Sequence, residues 1–555
     1  MVNVKNLFGM AVMATALVGC SSNDNLAPDG NGGNKDGAAY ASFTINLPTT
    51  RATRATDGEP SFAEGDAKEY EVKNGTILIF TNDGKFVTSA QLGNMNPWKD
   101  IKTDGVTTAA TATVQLTGVE VGGNYQALVL LNNDVDGAPS KVTLPTSGES
   151  YASWNAKAEN ATAAYTNTDY IFMANAPKYT GTSTEPTTLV PVANICASRE
   201  QAEAQAATTV YVERGLAKVT MQKFNDDGYD IAAGNTYEGA KVEIKNWQLD
   251  VTNKSTFPVH QTDGLMTVWD QIWNTGRFFD ATSSMFQRVY WGKDPNYSGG
   301  ALQDLAACKD AFNMITNDKV VGEAGIENPQ YCLENTFDLA NMMQGQTTRV
   351  VFKAVFTPKD FVTGQTFYKI GNNTAIWDAT KLAQQIKTVA LKAMKITNAD
   401  EQAQYGVDLT KGTNISGKAG LHKIAADNIT FTGEGKSKVT EDVVEAINDK
   451  LGLKETGIST YLNGEAYYIA RIKHFNEMTP WTAGEGYGTA NDKYLGRYGV
   501  LRNNWYDLSV NSISGLGYPD VPEVKPNMPD DENEQYINVE VKILDWAKRS
   551  QSIDL

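Results

Sequence analysis

At 555 residues, 41% hydrophobic and 20% charged, the chain has apolar material for roughly two to four domain cores. Its net charge of −17 comes with no clustered lysines and arginines, which argues against a phosphate-binding surface and so against a nucleic-acid partner. Its three histidines, His260, His422 and His474, stand far apart and in no metal-ligand spacing, and neither CxxC nor GxSxG occurs.

The first 20 residues read as a targeting segment. Lys5 supplies a basic start, and Leu7 to Gly19 is an apolar run too short to span a bilayer comfortably. It ends in "LVGC", which resembles a bacterial lipobox with Cys20 as the lipidated residue. No other apolar stretch has spanning length, so membrane attachment is expected only through the precursor's lipid, a palmitate-type anchor. Residues 21–54 are expected to hold a Gly/Asn/Asp tether and then a strand. In "AYASFTINL", Ala41, Phe43, Ile45 and Leu47 fall on one face at period 2. The strand breaks at Pro48 into "PTTRATRATDGEP", which holds Arg51 and Arg54, the first two of only 11 arginines.

Residues 55–258 are strand-rich and predict a first β-sandwich. "GTILIFTNDGKFVTSAQL" is a hairpin turning at Asn82-Asp83-Gly84. "YQALVLLNN", "DYIFMANAP", "TTVYVERGLAKVTMQKF" and "AKVEIKNWQLDVTN" are further strands. Residues 259–520 predict a second β-sandwich with inserted helices over "ALQDLAACKDAFNMI", "TKLAQQIKTVALKAMKI" and "TEDVVEAINDKLGL", the last N-capped by Thr440. Cys308 and Cys332 could pair as a disulfide that leaves Cys196 over, and buried unpaired thiols are an equal alternative. Residues 521–535, within a run holding four prolines and several acids, read as a solvated linker. Residues 536–555 then carry an isolated strand, with Ile537, Val539, Val541 and Ile543 on one face. The fold class expected is mainly β: two transthyretin-like sandwiches, a few helices in the second, and a detached C-terminal strand.

Catalytic and metal motifs fail in detail. "TGEGKS" (Thr432 to Ser437) needs a glycine at position 430, which is Thr430, and "GEGYG" (Gly484 to Gly488) lacks a strand-then-helix context. "NNDVDG" and "NDDGYD" lack the closing Glu of a calcium loop and read as turns. No enzymatic activity, metal or cofactor is expected. The two chain ends carry more information. A lone amphipathic strand is unstable in water and must join a sheet. If the N-terminal strand fills a groove in its own subunit and is then cut away, the C-terminal strand of another copy can take its place. That contact is head-to-tail and does not close, so it builds a filament. An exposed arginine-bearing loop suits the cut.

"YGVLRNNWYDLSVNSISGLGYPDVP" (Tyr498 to Pro522) resembles the closing motif of Bacteroidales fimbrial subunits. "INVEVKILDWAKRSQSIDL", "TVYVERGLAKVTM" and "AYYIARIKHF" are similar to strands of the same family. The family is the type V pilins, and the likeness is greatest to the shaft subunit of the minor fimbrium. The resemblance implies lipidation at Cys20, export to the outer membrane and cleavage at Arg51 or Arg54 by an arginine-specific maturation protease. It implies a donor strand carrying Ile537, Val539, Val541 and Ile543, and polymerisation with other copies alongside accessory anchor and tip pilins in a cell-surface fimbrium that supports adhesion. The alternative is a surface glycan-binding lipoprotein that stays monomeric.

Overall fold

The computed structural model describes residues 38–48, 65–93, 99–103, 106–135, 140–160, 163–166, 169–179, 185–266, 278–279, 287–371, 373–414, 421–453, 456–475, 494–530 and 537–545. Cys20, Arg51, Arg54 and the "GEGYG" run lie outside them. The fold is mainly β with few helices, as expected.

The first sheet is built from β1 (Ala39–Pro48), β2 (Gly75–Thr81), β3 (Phe86–Gln91), β4 (Lys99–Thr103), β5 (Val106–Leu116), β6 (Tyr125–Leu131), β7 (Met173–Asn175) and β8 (Thr208–Arg214). Their order is β3-β2-β6-β7-β8-β1-β5-β4, with Val190–Pro191 added beside β6. The β2–β3 hairpin turns where Asn-Asp-Gly predicts. Gly84 sits at φ +78°, and its N–H donates to Thr81 O at 2.9 Å. Ile77 and Ile79 of β2, Val114 and Leu116 of β5, Val129 and Leu131 of β6 and Val210 and Val212 of β8 share one core with β1. Strands from both ends of the sheet thus enclose the same apolar interior, as in a sandwich.

The second unit is a sandwich of two four-stranded sheets. One has the order β11-β9-β14-β15, from β9 (Ala217–Met221), β11 (Gly325–Cys332), β14 (Asn504–Ile513) and β15 (Ile537–Asp545). The other runs from the short strand Tyr229–Asp230 through β10 (Lys241–Asp250) and β12 (Arg349–Thr357) to β13 (Glu465–Arg471). Val219, Met221, Tyr506 and Leu508 of the first sheet meet Val242, Trp247, Phe352 and Tyr468 of the second in a common core.

The chain leaves the first sheet well before residue 258. "TTVYVERGLAKVTM" reads as one strand but divides at Gly215 between β8 and β9, which belong to different sheets. A Cβ on Gly215 would lie 2.5 Å from Tyr165 Oη and 3.0 Å from Phe172 Cδ1, so only glycine fits this crossing. Strands β9 and β10 therefore pair within the second unit rather than the first.

Helices are few and short. Arg199–Ala204 (α1) belongs to the first unit and Leu305–Ala311 (α2) to the second. Ala379–Ala393 (α3) and Glu441–Leu451 (α4) pack on a five-stranded sheet inserted between β12 and β13. Asp378 caps α3 by accepting from Lys381 N at 2.8 Å, and Thr440 caps α4 as its sequence predicts. Leu382, Ile386 and Ala390 form the buried stripe of α3.

One open question is answered and two sequence expectations change. Cys308 and Cys332 are buried thiols and form no disulfide. Burial pushes the Cys332 thiol up to about 12. The C-terminal strand is not detached, since β15 pairs antiparallel with β14. The acidic proline-rich run is not a free linker either, because it is bonded into the second unit as far as Asp530.

Candidate assembly groove

β1 is an interior strand, not an edge addition. It runs antiparallel to β5 along its whole length, Ala39 opposite Leu116 through Leu47 opposite Thr108, and parallel to β8, Phe43 opposite Thr208 through Asn46 opposite Tyr211. Ala41, Phe43 and Ile45 are 0% exposed and Leu47 1%. Alternation aims these side chains at the core shared by β2, β5, β6 and β8. On the other face, Ser42 Oγ donates to Ala202 O of α1 at 2.9 Å and lies 2.7 Å from Thr113 Oγ1, while Thr44 Oγ1 is 2.9 Å from Thr111 Oγ1. Arg199 of α1 donates to Thr113 O at 2.9 Å, with its guanidinium 5.9 Å from the Tyr40 ring. Tyr40 and Cys196 exchange backbone bonds of 2.9 and 2.8 Å. Nothing covalent binds β1 to its neighbours within 39–48. Taking it out leaves a slot with unpaired backbone on both walls and the floor of the core exposed, which is costly in water.

α1 as a cap and the Ser42–Thr113 contact were not legible in the sequence. The only trace was the polar half of the β1 alternation, which reads equally well as solvent-facing.

The chain's other end is held by a chain of polar contacts. Arg349 Nη2 donates to Pro522 O at 2.6 Å and Gln344 N to Met528 O at 2.9 Å. Asp530 is 1% exposed. Its carboxylate accepts from Thr347 Oγ1 at 2.9 Å, and its carbonyl accepts from Arg471 Nε at 3.2 Å. Residues 531–536 then span at most ~20 Å when extended, which leads to β15. There Ile543, Val541, Val539 and Ile537 pair with Tyr506, Leu508, Val510 and Ile513 of β14. Asp530→Ala removes the buried carboxylate that accepts from Thr347, whose hydroxyl keeps Met343 O as an acceptor at 3.0 Å, and is expected to destabilise the second unit by ~1–3 kcal/mol. Denaturant unfolding checks this, and a loss no larger than that of the exposed Asp226→Ala would count against the anchor.

His260 and His474 are structural, and His422 is placed elsewhere, on a strand of the inserted sheet. His260 is buried with Nδ1 2.8 Å from Glu213 Oε1 and Nε2 3.2 Å from Trp291 O. His474 lies between the Tyr506 hydroxyl at 2.7 Å and Tyr290 O at 2.8 Å. "NDDGYD" forms a turn, in which Gly228 N donates to Asn225 O at 2.9 Å. Among the described residues no group of three His, Cys, Asp or Glu is placed to hold a metal ion, and no helix is long and apolar enough to cross a membrane.

Three solved structures align with parts or most of this chain at low scores. A candidate cell adhesion protein of Parabacteroides distasonis aligns over 93% of this chain and 99% of its own at 10% identity, with a TM-score of 0.38. A fimbrial assembly protein of the same species covers 56% of this chain and 94% of its own at 14% identity and a TM-score of 0.25. A candidate polysaccharide-binding protein of Bacteroides thetaiotaomicron covers 64% and 85% at 10% identity and a TM-score of 0.23. Scores this low carry no argument about fold or function. No curated protein sequence matches. A family description does: residues 459–552 match "Major fimbrial subunit protein type IV, Fimbrillin, C-terminal". That span runs from the approach to β13 through β14 to β15, and it contains the closing motif Tyr498 to Pro522. Residues 459–552, the closing motif included, are thus similar to the C-terminal region of fimbrillins.

Proposed function

We propose that the chain is a polymerising shaft subunit of a cell-surface fimbrium, exported as a lipoprotein lipidated at Cys20 and matured by an arginine-specific protease at Arg51 or Arg54. The observation that carries this reading is β1. It is an interior strand whose apolar face is fully buried, it is held only by non-covalent contacts, and it runs directly into the two arginines. Cutting there severs the covalent link between β1 and the rest of the fold.

The vacated slot then offers two ladders, β5 and β8, and an apolar floor. Ile537, Val539, Val541 and Ile543 repeat the period-2 spacing of Ala41, Phe43, Ile45 and Leu47, so β15 of another copy suits the slot. In the uncut chain β15 rests on β14 with one ladder. Exchange replaces one ladder by two, and each apolar side chain newly buried contributes ~1.5–3 kcal/mol at most. The contact is head-to-tail, so copies add without closing. Accessory anchor and tip pilins would cap such a fibre and hold it at the outer membrane, where it supports adhesion.

The test is to treat the purified precursor with an arginine-specific protease. Cleavage after Arg51 or Arg54 is expected, followed by SDS-resistant ladders on gels and fibres by electron microscopy. Arg51→Ala/Arg54→Ala is expected to stay uncut and monomeric. Deleting residues 536–555 is expected to allow cutting but not ladders. Clipped native protein that remains monomeric would overturn the shaft reading.

A further inference from the structure

A cavity of about 460 Å³ opens in the unit inserted between β12 and β13, a size within the ~300–1,000 Å³ usual for small-ligand sites. Tyr368 lines it from one strand, with Thr366 just before that strand, Thr460 from the neighbouring strand and His422 from the next. Successive side chains of a strand take opposite faces. The intervening Phe367 and Tyr461 accordingly stack at 4.6 Å on the other face, in the core of the sandwich. Toward one end, the cavity's face is covered by α3 and α4, where Leu382, Ile386 and Ile447 pack with Tyr368, Ile424 and Ile458. Past the helices, the loop Leu409–Gly412 and Asn428 form the wall instead.

That wall is built rather than slack. Asn428 Nδ2 donates to Asp408 O at 2.7 Å, and Asn428 Oδ1 accepts from Ala425 N at 2.9 Å. Gly412 has φ +124°, and a Cβ there would meet Lys423 O at 3.0 Å. The loop is thereby pressed against the strand that carries His422 and Lys423, which brings Lys411 and Lys423 to the same cavity. Both lysines are exposed, and among the described residues neither has a salt-bridge partner. The nearby Asp408 is already engaged. The Thr410 hydroxyl and N–H bond its carboxylate at 2.6 and 2.9 Å and, with a smaller pull from the Lys411 charge, hold it below its ordinary range. Two exposed ammonium groups at one cavity, neither in a salt bridge among the described residues, are distinctive in a chain of net charge −17.

We propose that this cavity binds an acidic saccharide, a pyranose carrying a carboxylate. Lys411 and Lys423 match the carboxylate. Thr410, Thr460 and His422 offer partners to ring hydroxyls. Tyr368 and Leu462, the latter 61% exposed, offer apolar surface to the sugar's C–H face. The site shares no residue with the β1 slot or with β15, so it stands or falls independently of polymerisation.

The test is calorimetry and saturation-transfer NMR on the purified full chain, uncut, with glucuronic acid, N-acetylneuraminic acid, glucose and inorganic phosphate as probes. At least one acidic sugar is expected to bind, with glucose about tenfold weaker or worse. Lys411→Ala and Lys423→Ala are each expected to weaken the acidic sugar about tenfold without moving the melting temperature, since both side chains are exposed. The proposal is overturned if neither acid binds, if glucose binds as well, if phosphate binds as tightly as the sugars, or if the double variant keeps native affinity.

Discussion

Phe43→Ala is expected to destabilise the first unit by ~3–5 kcal/mol. The ring is 0% exposed and sits in the middle of β1, flanked by Ala112 of β5 and Thr208 of β8 in the ladder. An interior strand cannot shift toward solvent to relax around the void, so the loss combines the transfer term with a persistent cavity. The slot's two walls depend on β1 for backbone partners. Native-state hydrogen exchange should therefore show protection falling at β5 and β8 together, with the second sandwich unaffected. Asn46→Ala, on the opposite, half-buried face, is the internal control and should cost well under ~1 kcal/mol. A Phe43→Ala loss no larger than the control's would mean that β1 is not the plug of this core.

Lys218→Met is expected to cost ~3–5 kcal/mol, because it leaves a buried carboxylate without its counter-ion. Lys218 Nζ is 2.6 Å from Glu69 Oε1 with both side chains 2% exposed, and it lies 3.9 Å over the Trp505 ring. The Tyr331 hydroxyl donates to the same carboxylate, and Arg214 Nε donates to Glu69 O at 2.7 Å. Glu69 follows the arginine-bearing stretch in the chain, so the clasp keeps the downstream side of the proposed cut attached to β9. The double variant Glu69→Gln/Lys218→Met should recover much of the loss, since it removes the stranded charge. Failure to recover would mean that the lysine acts through packing on Trp505.

The same pair sets an acid limit. Burial alone would raise the Glu69 carboxyl, but the Lys218 ammonium and the hydrogen bonds from Lys218 and Tyr331 outweigh it and hold it below 4.5. A carboxyl depressed in the folded state contributes stability fully above its unfolded value. That contribution is lost as the pH falls from about 4.5 through the folded value. Denaturant midpoints should therefore drop in that window for the native protein and flatten for the double variant.

Local chemistry made much of the molecule readable in advance. Asn-Asp-Gly set the β2–β3 turn because glycine tolerates positive φ. Thr440 started α4 because its side chain satisfies a first-turn N–H group. Period-2 alternation marked Phe43, Ile45 and Leu47 as one buried face, and the closing motif Tyr498 to Pro522 pointed to the fimbrillins. What failed to read through was whatever depends on distant partners. Gly215 looked like a harmless residue within a long strand until Tyr165 and Phe172, far away in sequence, left no room for a side chain. The acidic proline-rich run looked solvated, but Thr347 and Arg471 bury its Asp530.

The amino-acid sequence by itself determined which residues of each terminal strand share a face, because a strand's period is fixed by backbone geometry alone. Only the tertiary structure decided where those strands go. β1 is inserted between β5 and β8 rather than laid on an edge, and β15 is docked on β14 rather than left free. Strand partners are chosen by register across hundreds of residues, through shared cores and buried polar contacts. No local pattern in either strand encodes that choice.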